Sequence, residues 1–320
     1  MEEAKHICVY SGSAHPELSQ QIANYLGISL GKVHLTHFPD GEYFVQFEEN
    51  VRRADAFLIQ PTCKPPNDNL MELLIMIDAV LPYFGYARQD RKDKPRVPIT
   101  AKLVANLITE AGADRIITMD LHSQQIQGFF DIPMDHLYAR PVLVPYLKKL
   151  VGSNGVVVAP DSGSAKMAMN YGDMLEAGFA VVTKRRINAT TVASSHLVGD
   201  VKDKNCVITD DLTSTAGTLC AAAKILKANG AAKIYAAVSH CMLSESGKEK
   251  LLATPEIEQL VTTDAVPVVD DLGRAAARRG DPAHPRREIG LVALLYQSLD
   301  ITAHKITKEL GKGFHEQSQQ

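Results

Sequence analysis

The sequence predicts an α/β fold with two domains, each a mostly parallel sheet flanked by helices. Short β-rich runs alternate with helical patterns along almost the whole chain, which is typical of parallel βαβ units. The 320 residues are enough for two domains of about 150 residues each. The composition, 45% hydrophobic and 22% charged, is that of a soluble globular protein and not of a disordered one.

The elements of the first half are predicted from apolar periodicity and from turn residues. Pro16 begins the first helix, Asp40-Gly41 bends a hairpin, and Gly112 ends the third helix. The expected strands cover residues 7–10, 33–38, 43–47, 56–59 and 115–119. The expected helices cover residues 16–26, 69–79 and 100–111.

The second half repeats the alternation of strands and helices. A helix over residues 138–151 leads into it, and two more helices begin near Ala165 and Thr218. A further helix is expected over residues 289–310, before a polar tail. The expected strands cover residues 156–159, 179–183, 206–209 and 233–239.

Charge and cysteine content exclude several classes of protein. The formal net charge is −3, so no bulk attraction to nucleic acid or to an anionic membrane is expected. No apolar stretch approaches the length of a membrane span, and the first residues lack the pattern of a signal peptide. Five cysteines are an odd number without close pairs, which favours a reducing cytoplasm over a disulfide scaffold.

The most informative segment is the junction over residues 206–218. An apolar strand runs into Asp210 and Asp211, and a turn rich in hydroxyls precedes an Ala-rich helix. We call residues 214–218 the hydroxyl loop. Backbone N–H groups and hydroxyls there can bind a phosphate, Gly217 allows close approach of the backbone, and the carboxylates can accept from sugar hydroxyls. A strand followed by an ordinary capped helix is the simpler alternative.

This junction resembles the ribose-phosphate loop of type I phosphoribosyltransferases and of ribose-phosphate diphosphokinases (PRPP synthetases). Residues 67–76, 82–92 and 118–130 resemble signatures of PRPP synthetases that phosphoribosyltransferases lack. The resemblance implies two phosphoribosyltransferase-like domains, an ATP-binding one over residues 1–139 and a ribose-5-phosphate-binding one over residues 140–320. It also implies transfer of a diphosphoryl group from ATP to the 1-hydroxyl of ribose 5-phosphate, with Mg²⁺, in a homo-oligomer based on dimers, for which a hexamer is one arrangement.

The resemblance assigns the substrate contacts to individual residues of this chain. The ATP contacts are Arg88 and Gln89, together with Asp40, Gly41 and Glu42 supplied by a neighbouring subunit. A plain hairpin turn explains Asp40-Gly41 equally well. The ribose 5-phosphate contacts are Arg186, Asp210, Asp211, Ser214, Thr215, Ala216, Gly217 and Thr218.

The resemblance also assigns metal and catalytic residues. His122 and Asp161 hold the metal or its phosphates, and Asp120 is expected to face the same side as His122 because the two are two residues apart at a strand end. Without the family, His122 is read as a hydrogen-bonded structural residue. Lys184 and Arg186 are the catalytic cations, at the start of a polar loop that runs to about Ser195.

Two departures from the family pattern are informative. Ser214 stands where the family usually has a third Asp. Between Ala79 and Pro82 the chain lacks about a dozen residues, the length of a parallel crossover. Either the preceding helix ends early and yields residues to a short strand, or the first sheet lacks a strand.

Two other functions remain open at this level. The short connection favours a catalytically impaired or regulatory homologue, whereas Lys184, Arg186, Asp210 and Asp211 favour an active enzyme. A phosphoribosyltransferase, which uses PRPP and no ATP, is disfavoured by the segment around Arg88-Gln89.

Overall fold

A computed structural model describes residues 6–49, 51, 54–76, 79–186, 192–267 and 292–293 of the chain. The chain forms two compact units, with the main division between Tyr138 and Ala139 and with Ala265–Pro267 grouped with the first unit, and each is an α/β unit with a mostly parallel sheet. No helix in the described ranges is both long enough and apolar enough to cross a membrane.

The first unit contains a five-stranded parallel sheet and a separate hairpin. The sheet has the order β1-β4-β5-β6-β7, and β2 and β3 pair with each other in antiparallel fashion. The strands are β1 His6–Ser11, β2 Val33–His37, β3 Tyr43–Phe47, β4 Ala54–Ile59, β5 Ala79–Leu81, β6 Ile116–Met119 and β7 Met134–Leu137. The helices are α1 Pro16–Leu26, α2 Pro66–Met76 and α3 Thr100–Glu110, with a 3₁₀ turn over Gln124–Phe129.

The core of the first unit follows the predicted apolar spacing. Helix α3 buries Ala101, Val104, Ala105 and Ile108, which is the spacing of one helical face. This face packs in one cluster with residues of α2 and with Phe84 and Phe130, whose rings meet edge to face. Strand β7 was not predicted, since its four residues show no clear alternation.

At the short connection before Pro82, helix α2 ends earlier than predicted and the following residues form a strand. Helix α2 ends at Met76, whereas the prediction extended it to Ala79. Ala79–Leu81 form β5, which pairs in parallel with β4 on one side and with β6 on the other. The first sheet therefore keeps a strand at this position, which confirms the first of the two alternatives and excludes a missing strand.

The second unit contains a seven-stranded sheet with the order β10-β9-β8-β11-β12-β13-β14. All neighbours pair in parallel except β9 and β10, which are antiparallel. The strands are β8 Gly155–Ala159, β9 Gly178–Arg186, β10 Val192–Val198, β11 Asn205–Thr213, β12 Lys233–Cys241, β13 Gln259–Thr262 and β14 Val292–Ala293. The helices are α4 Arg140–Val151, α5 Ala165–Leu175, α6 Gly217–Ala228 and α7 Glu245–Leu252, with a 3₁₀ turn over Gly152–Asn154.

Two predictions for the second unit need correction. Strand β9 continues to Arg186 and β10 begins at Val192, so the described residues of the predicted polar loop from Lys184 to about Ser195 form an antiparallel ribbon, and residues 187–191 lie outside the described part of the chain. The predicted helix over residues 289–310 falls almost entirely outside the described residues. Within that range, the described pair Val292–Ala293 is a strand beside β13 and not helical.

Candidate active site

The carboxyl edge of the sheet in the second unit carries three carboxylates. β8 and β11 are adjacent and parallel, so the segments that follow them meet at one edge of the sheet. Asp161 follows β8, whereas Asp210 and Asp211 lie inside β11. This strand runs to Thr213, beyond the predicted end at Thr209, because its ladder with β12 continues past the two acids.

The carboxylates influence one another electrostatically. Burial raises the pKa of Asp210 to about 8, and the charges of Asp211 and Asp161 act in the same direction. Asp161 is fixed by its own turn, since its Oδ1 accepts from Gly163 N over 2.9 Å and from Ser164 N over 3.2 Å. Because these carboxylates repel one another when ionised, a positive charge at this edge of the sheet would be favourable.

The hydroxyl loop joins β11 to α6 and exposes helix N–H groups. Ala216 has a left-handed backbone with a φ of 53° and precedes α6 without a side-chain cap. The first N–H groups of α6 therefore have no capping side chain and are available to an anion. A Cβ added at Gly217 would meet nothing closer than Thr215 Oγ1 at 3.6 Å, so packing within the protein does not require glycine there. Glycine at this position is consistent with the close approach of a ligand.

Lys184 and Arg186 occupy the ribbon next to this edge. Both lie in β9, and their backbones pair with Ser195 and Val192 of β10. Since β9 neighbours β8, the strand with the predicted cations is two strands away from β11 in the same sheet. The predicted catalytic residues and the predicted sugar contacts thus belong to one unit.

The predicted adenine-side segment forms the turn of the β2–β3 hairpin. Asp40, Gly41 and Glu42 are exposed, and Gly41 has a φ of 95°, which favours glycine. Asp40 Oδ1 accepts from Glu42 N over 3.3 Å, and Phe38 N donates to Glu42 O over 2.8 Å. The Asp-Gly bend is confirmed, while the contact of this turn with a nucleotide stays a prediction.

The other predicted nucleotide contacts lie in the loop after β5. Arg88 and Gln89 are exposed. The Gln89 backbone accepts from Ala101 N over 3.2 Å, and its side-chain oxygen accepts from the Thr100 hydroxyl. Gln89 therefore ties the loop to the start of α3 and leaves Arg88 in solvent at the carboxyl end of the sheet.

Asp120 and His122 follow the end of the strand, so strand alternation does not set the predicted sharing of a side, which stays a prediction. Strand β6 ends at Met119, and Asp120 has a φ of 36°, so the alternation of an extended strand stops there. Asp120 is buried, whereas His122 is exposed. Leu121 N–H between them donates to His136 Nε2 over 2.9 Å, which holds this turn against β7.

The predicted metal ligands are distributed over both units. Asp120 and His122 belong to the first unit, and Asp161 belongs to the second. Among the described residues, no group of three or more His, Cys, Asp or Glu side chains has an arrangement that could hold a metal ion by itself. The predicted set is thus not assembled within either unit.

Two polar contacts were not predicted from the sequence: one holds the hydroxyl loop, and the other holds the turns that follow β1 and β4. Ser244, after β12, donates to the Ser214 carbonyl of the hydroxyl loop over 2.8 Å. In the first unit, Glu72 of α2 is buried and accepts from Ser13 and Gln60. The single acid within the apolar face of α2 was a signal for the second contact, while no local pattern indicates the first.

Comparison with known proteins gives consistent results for both units. A family described as the N-terminal domain of ribose phosphate pyrophosphokinase matches residues 7–112, and a phosphoribosyl transferase domain matches residues 146–263. The chain is 48% identical to a ribose-phosphate pyrophosphokinase A of Dictyostelium discoideum over 82% of its own length and 86% of the relative. It is 50% identical to a ribose-phosphate pyrophosphokinase of Chlorobaculum tepidum, over 81% of this chain and 84% of that relative. The crystal structure of phosphoribosylpyrophosphate synthetase from Mycobacterium smegmatis is similar with a TM-score of 0.79 and 39% identity, over 84% of this chain and 92% of that one.

Proposed function

The chain belongs to the ribose-phosphate pyrophosphokinase family, and from this membership we propose how its residues carry out the reaction. It is an enzyme that transfers the diphosphoryl group of ATP to the 1-hydroxyl of ribose 5-phosphate, giving PRPP and AMP. The observation that carries the assignment is the identity of 48% with a relative of that name over both units together. The two family matches fall on either side of the junction between the units.

Ribose 5-phosphate is proposed to bind at the carboxyl edge of the second sheet. The hydroxyl loop, Ser214, Thr215, Ala216, Gly217 and Thr218, offers N–H groups and hydroxyls to the 5-phosphate. Asp210 and Asp211 accept hydrogen bonds from the ribose hydroxyls. These contacts orient the 1-hydroxyl for attack, and orientation contributes to catalysis together with electrostatic stabilisation of the transferred group.

Lys184 and Arg186 are proposed as the cations that stabilise the transferred group. The diphosphoryl group and the departing AMP are strongly anionic, so fixed positive charges at the developing charge lower the barrier. Arg186 also contacts ribose 5-phosphate in this proposal. Both residues lie in β9, in the same sheet as the proposed sugar site.

ATP is proposed to bind to the first unit. Arg88 and Gln89 contact the nucleotide from the loop after β5, and Asp40, Gly41 and Glu42 contact the adenine of a neighbouring subunit. The exposed position of both segments supports this role. A homo-oligomer based on dimers follows from the shared site, and residues 1–139 and 140–320 are the ATP-binding and ribose-5-phosphate-binding domains.

Enzymes of this family use a metal ion, and we propose that Mg²⁺ is that ion here. Oxygen ligands suit a divalent cation of this kind, and the carboxylate of Asp161 at the edge of the second sheet offers one, whereas the three carboxylates there do not form a metal site by themselves. As separate proposals, Asp161 in the second unit, and Asp120 and His122 in the first unit, would contact the ion or the phosphates bound to it. When bound, the ion supplies positive charge to the phosphate oxygens.

A catalytically impaired or regulatory homologue is the alternative, and its main support is weakened. That support was the short connection before Pro82, for which a missing strand in the first sheet was one of the two alternatives. Strand β5 keeps the first sheet continuous. A reducing cytoplasm is the proposed location, since all five cysteines are free.

The proposal is tested by AMP formation from ATP and ribose 5-phosphate with Mg²⁺. Lys184→Ala should lower turnover by about 100-fold or more, the effect of removing a group aimed at transition-state charge, while ATP binding measured by calorimetry is retained. Lys224→Ala, which removes an exposed lysine of α6, is the matched control and should leave turnover unchanged. No AMP from the wild-type protein would refute the activity, and near-normal turnover of Lys184→Ala would refute the role of Lys184.

A further inference from the structure

The segment after β12 supports the hydroxyl loop from behind. Ser244 N–H donates to the Ser214 carbonyl oxygen over 2.8 Å, and the Ser244 hydroxyl donates to the same oxygen over 3.3 Å. One step earlier, Met242 N–H donates to the Thr213 carbonyl over 2.9 Å. The pairing of β11 with β12 thus continues into the loop, and the carbonyl that opens the loop is fully engaged.

Helix α7 packs against this support without free space. The Ser244 hydroxyl accepts from Gly247 N–H over 3.1 Å and caps the helix. Gly247 is buried, and a Cβ there would lie 2.4 Å from the Ser214 oxygen and 3.1 Å from Thr215 Cα. The first turn of α7 therefore contacts the backbone of the loop directly.

This contact determines which way the loop presents its donors. A peptide unit is planar and trans, so the Ser214 carbonyl and the Thr215 N–H point in opposite directions. Since the carbonyl is held toward Ser244, Thr215 N–H is directed away from α7, to the side where Thr215 is exposed. A rotated peptide would instead present a carbonyl oxygen to an anion and remove one donor.

We propose that Ser244 is a positioning residue for the phosphate group of the sugar substrate. It acts through Ser214: its backbone and hydroxyl hold one peptide of the loop so that N–H groups, and no carbonyl oxygen, face the phosphate. This inference rests on the proposed function, which assigns the hydroxyl loop to the phosphate of ribose 5-phosphate. Ser244 itself touches no substrate.

The test compares two hydroxyl deletions at opposite ends of α7. Ser244→Ala removes the cap and one of the two bonds to Ser214, whereas Thr254→Ala removes a bond of 2.8 Å from a buried hydroxyl to Lys250 O. Both variants should lose similar thermal stability. Only Ser244→Ala should weaken ribose 5-phosphate, by roughly three- to tenfold in Kd by calorimetry and in KM, because one hydrogen bond is lost while the backbone bond remains.

The remaining readouts separate positioning from general damage. KM for ATP should not change in Ser244→Ala, and Ser244→Thr, which retains a hydroxyl, should restore the affinity for ribose 5-phosphate. The inference would be overturned if the Kd of Ser244→Ala for ribose 5-phosphate stayed within twofold of wild type. It would also be overturned if Thr254→Ala lost as much affinity for ribose 5-phosphate as Ser244→Ala. A wild-type protein that binds ribose 5-phosphate but forms no PRPP refutes the proposed reaction and leaves the comparison of Kd values decisive for Ser244. A wild-type protein that does not bind it refutes both.

Discussion

Glu72 connects three segments of the first unit, and we predict that its removal costs about 2–4 kcal/mol of local stability. The residue is 2% exposed. Oε1 accepts from Ser13 N over 2.6 Å and from Gln60 Nε2 over 2.9 Å, and Oε2 accepts from Ser13 Oγ over 2.6 Å. Gln60 in turn accepts from Ala14 N over 3.0 Å. One acid therefore links α2 to the turn after β1 and to the end of β4.

The magnitude follows from what Glu72→Ala leaves unpaired. Gln60 is fully buried, and its Nε2 donor retains only a contact of 3.5 Å to Asn69 O, while an unpaired buried donor costs about 1–3 kcal/mol. The lost methylene adds about 0.8 kcal/mol. Ser13 is exposed, so water replaces its partner at little cost. Glu72→Gln keeps one acceptor oxygen, and the Ser13 hydroxyl can reverse and accept from the new amide, so a loss of about 1 kcal/mol is expected.

Hydrogen exchange is the suitable assay, because two units need not unfold together and a single global free energy is then poorly defined. The amides of Ser13 and Ala14 should exchange at least about tenfold faster in Glu72→Ala than in wild type, since tenfold corresponds to 1.4 kcal/mol. In Glu72→Gln, the same amides should exchange at a rate between those of the wild type and of Glu72→Ala. Unchanged exchange in Glu72→Ala, or equal effects of both variants, would show that the network does not hold this turn.

Three further predictions concern other parts of the chain. The pKa of Asp210 is raised from 3.8 to about 8 by burial and by neighbouring carboxylates, so its contribution to stability is present below pH 4 and is lost as the pH rises to 8. In EDTA, Asp210→Asn should therefore raise the melting temperature at pH 9 more than at pH 4, and an equal shift at both would contradict the assignment. Leu81→Ala, at a fully buried position of β5, should cost about 2–5 kcal/mol by urea unfolding, whereas Leu103→Ala, on the exposed face of α3, should cost less than about 0.5 kcal/mol. Gly41→Ala should destabilise the β2–β3 hairpin by about 1–2 kcal/mol because of the φ of 95°, measured by exchange of the hairpin amides, and unchanged exchange would contradict this.

The sequence predicted elements well where local pattern and burial agree. The β2–β3 hairpin has its bend at Asp40-Gly41, and β3 has the predicted limits. The predicted ends of two strands were wrong, because polar residues continue the backbone pairing with a neighbouring strand. β9 runs to Arg186 and β11 to Thr213, because pairing with β10 and β12 stabilises residues of low strand propensity. Such pairing depends on segments that are distant along the chain.

The same distinction holds for the candidate site. The hydroxyl loop was predictable because strand, acids and hydroxyls are contiguous in the sequence, and the structure confirms their strand–loop–helix arrangement. Ser244 is 30 positions away from Ser214, and their contact depends on the backbone of α7. The positive φ at Asp120 ends the strand alternation on which the prediction for Asp120 and His122 was based, and this backbone conformation has no local sequence signal.

The short connection before Pro82 is compatible with an intact sheet for two reasons. Residues 60–78 separate β4 from β5, which exceeds the roughly dozen residues that a parallel crossover needs. The pairing also extends beyond the three residues of β5, since Gln60 N donates to Val80 O and Thr62 N to Tyr83 O, each over 3.0 Å. Gly85 N then donates to Thr62 Oγ1 over 2.6 Å. Because these bonds hold the segment after β5 against the end of β4, the loop that carries Arg88 begins from a fixed point at the carboxyl edge of the sheet, where the proposed ATP contacts require it.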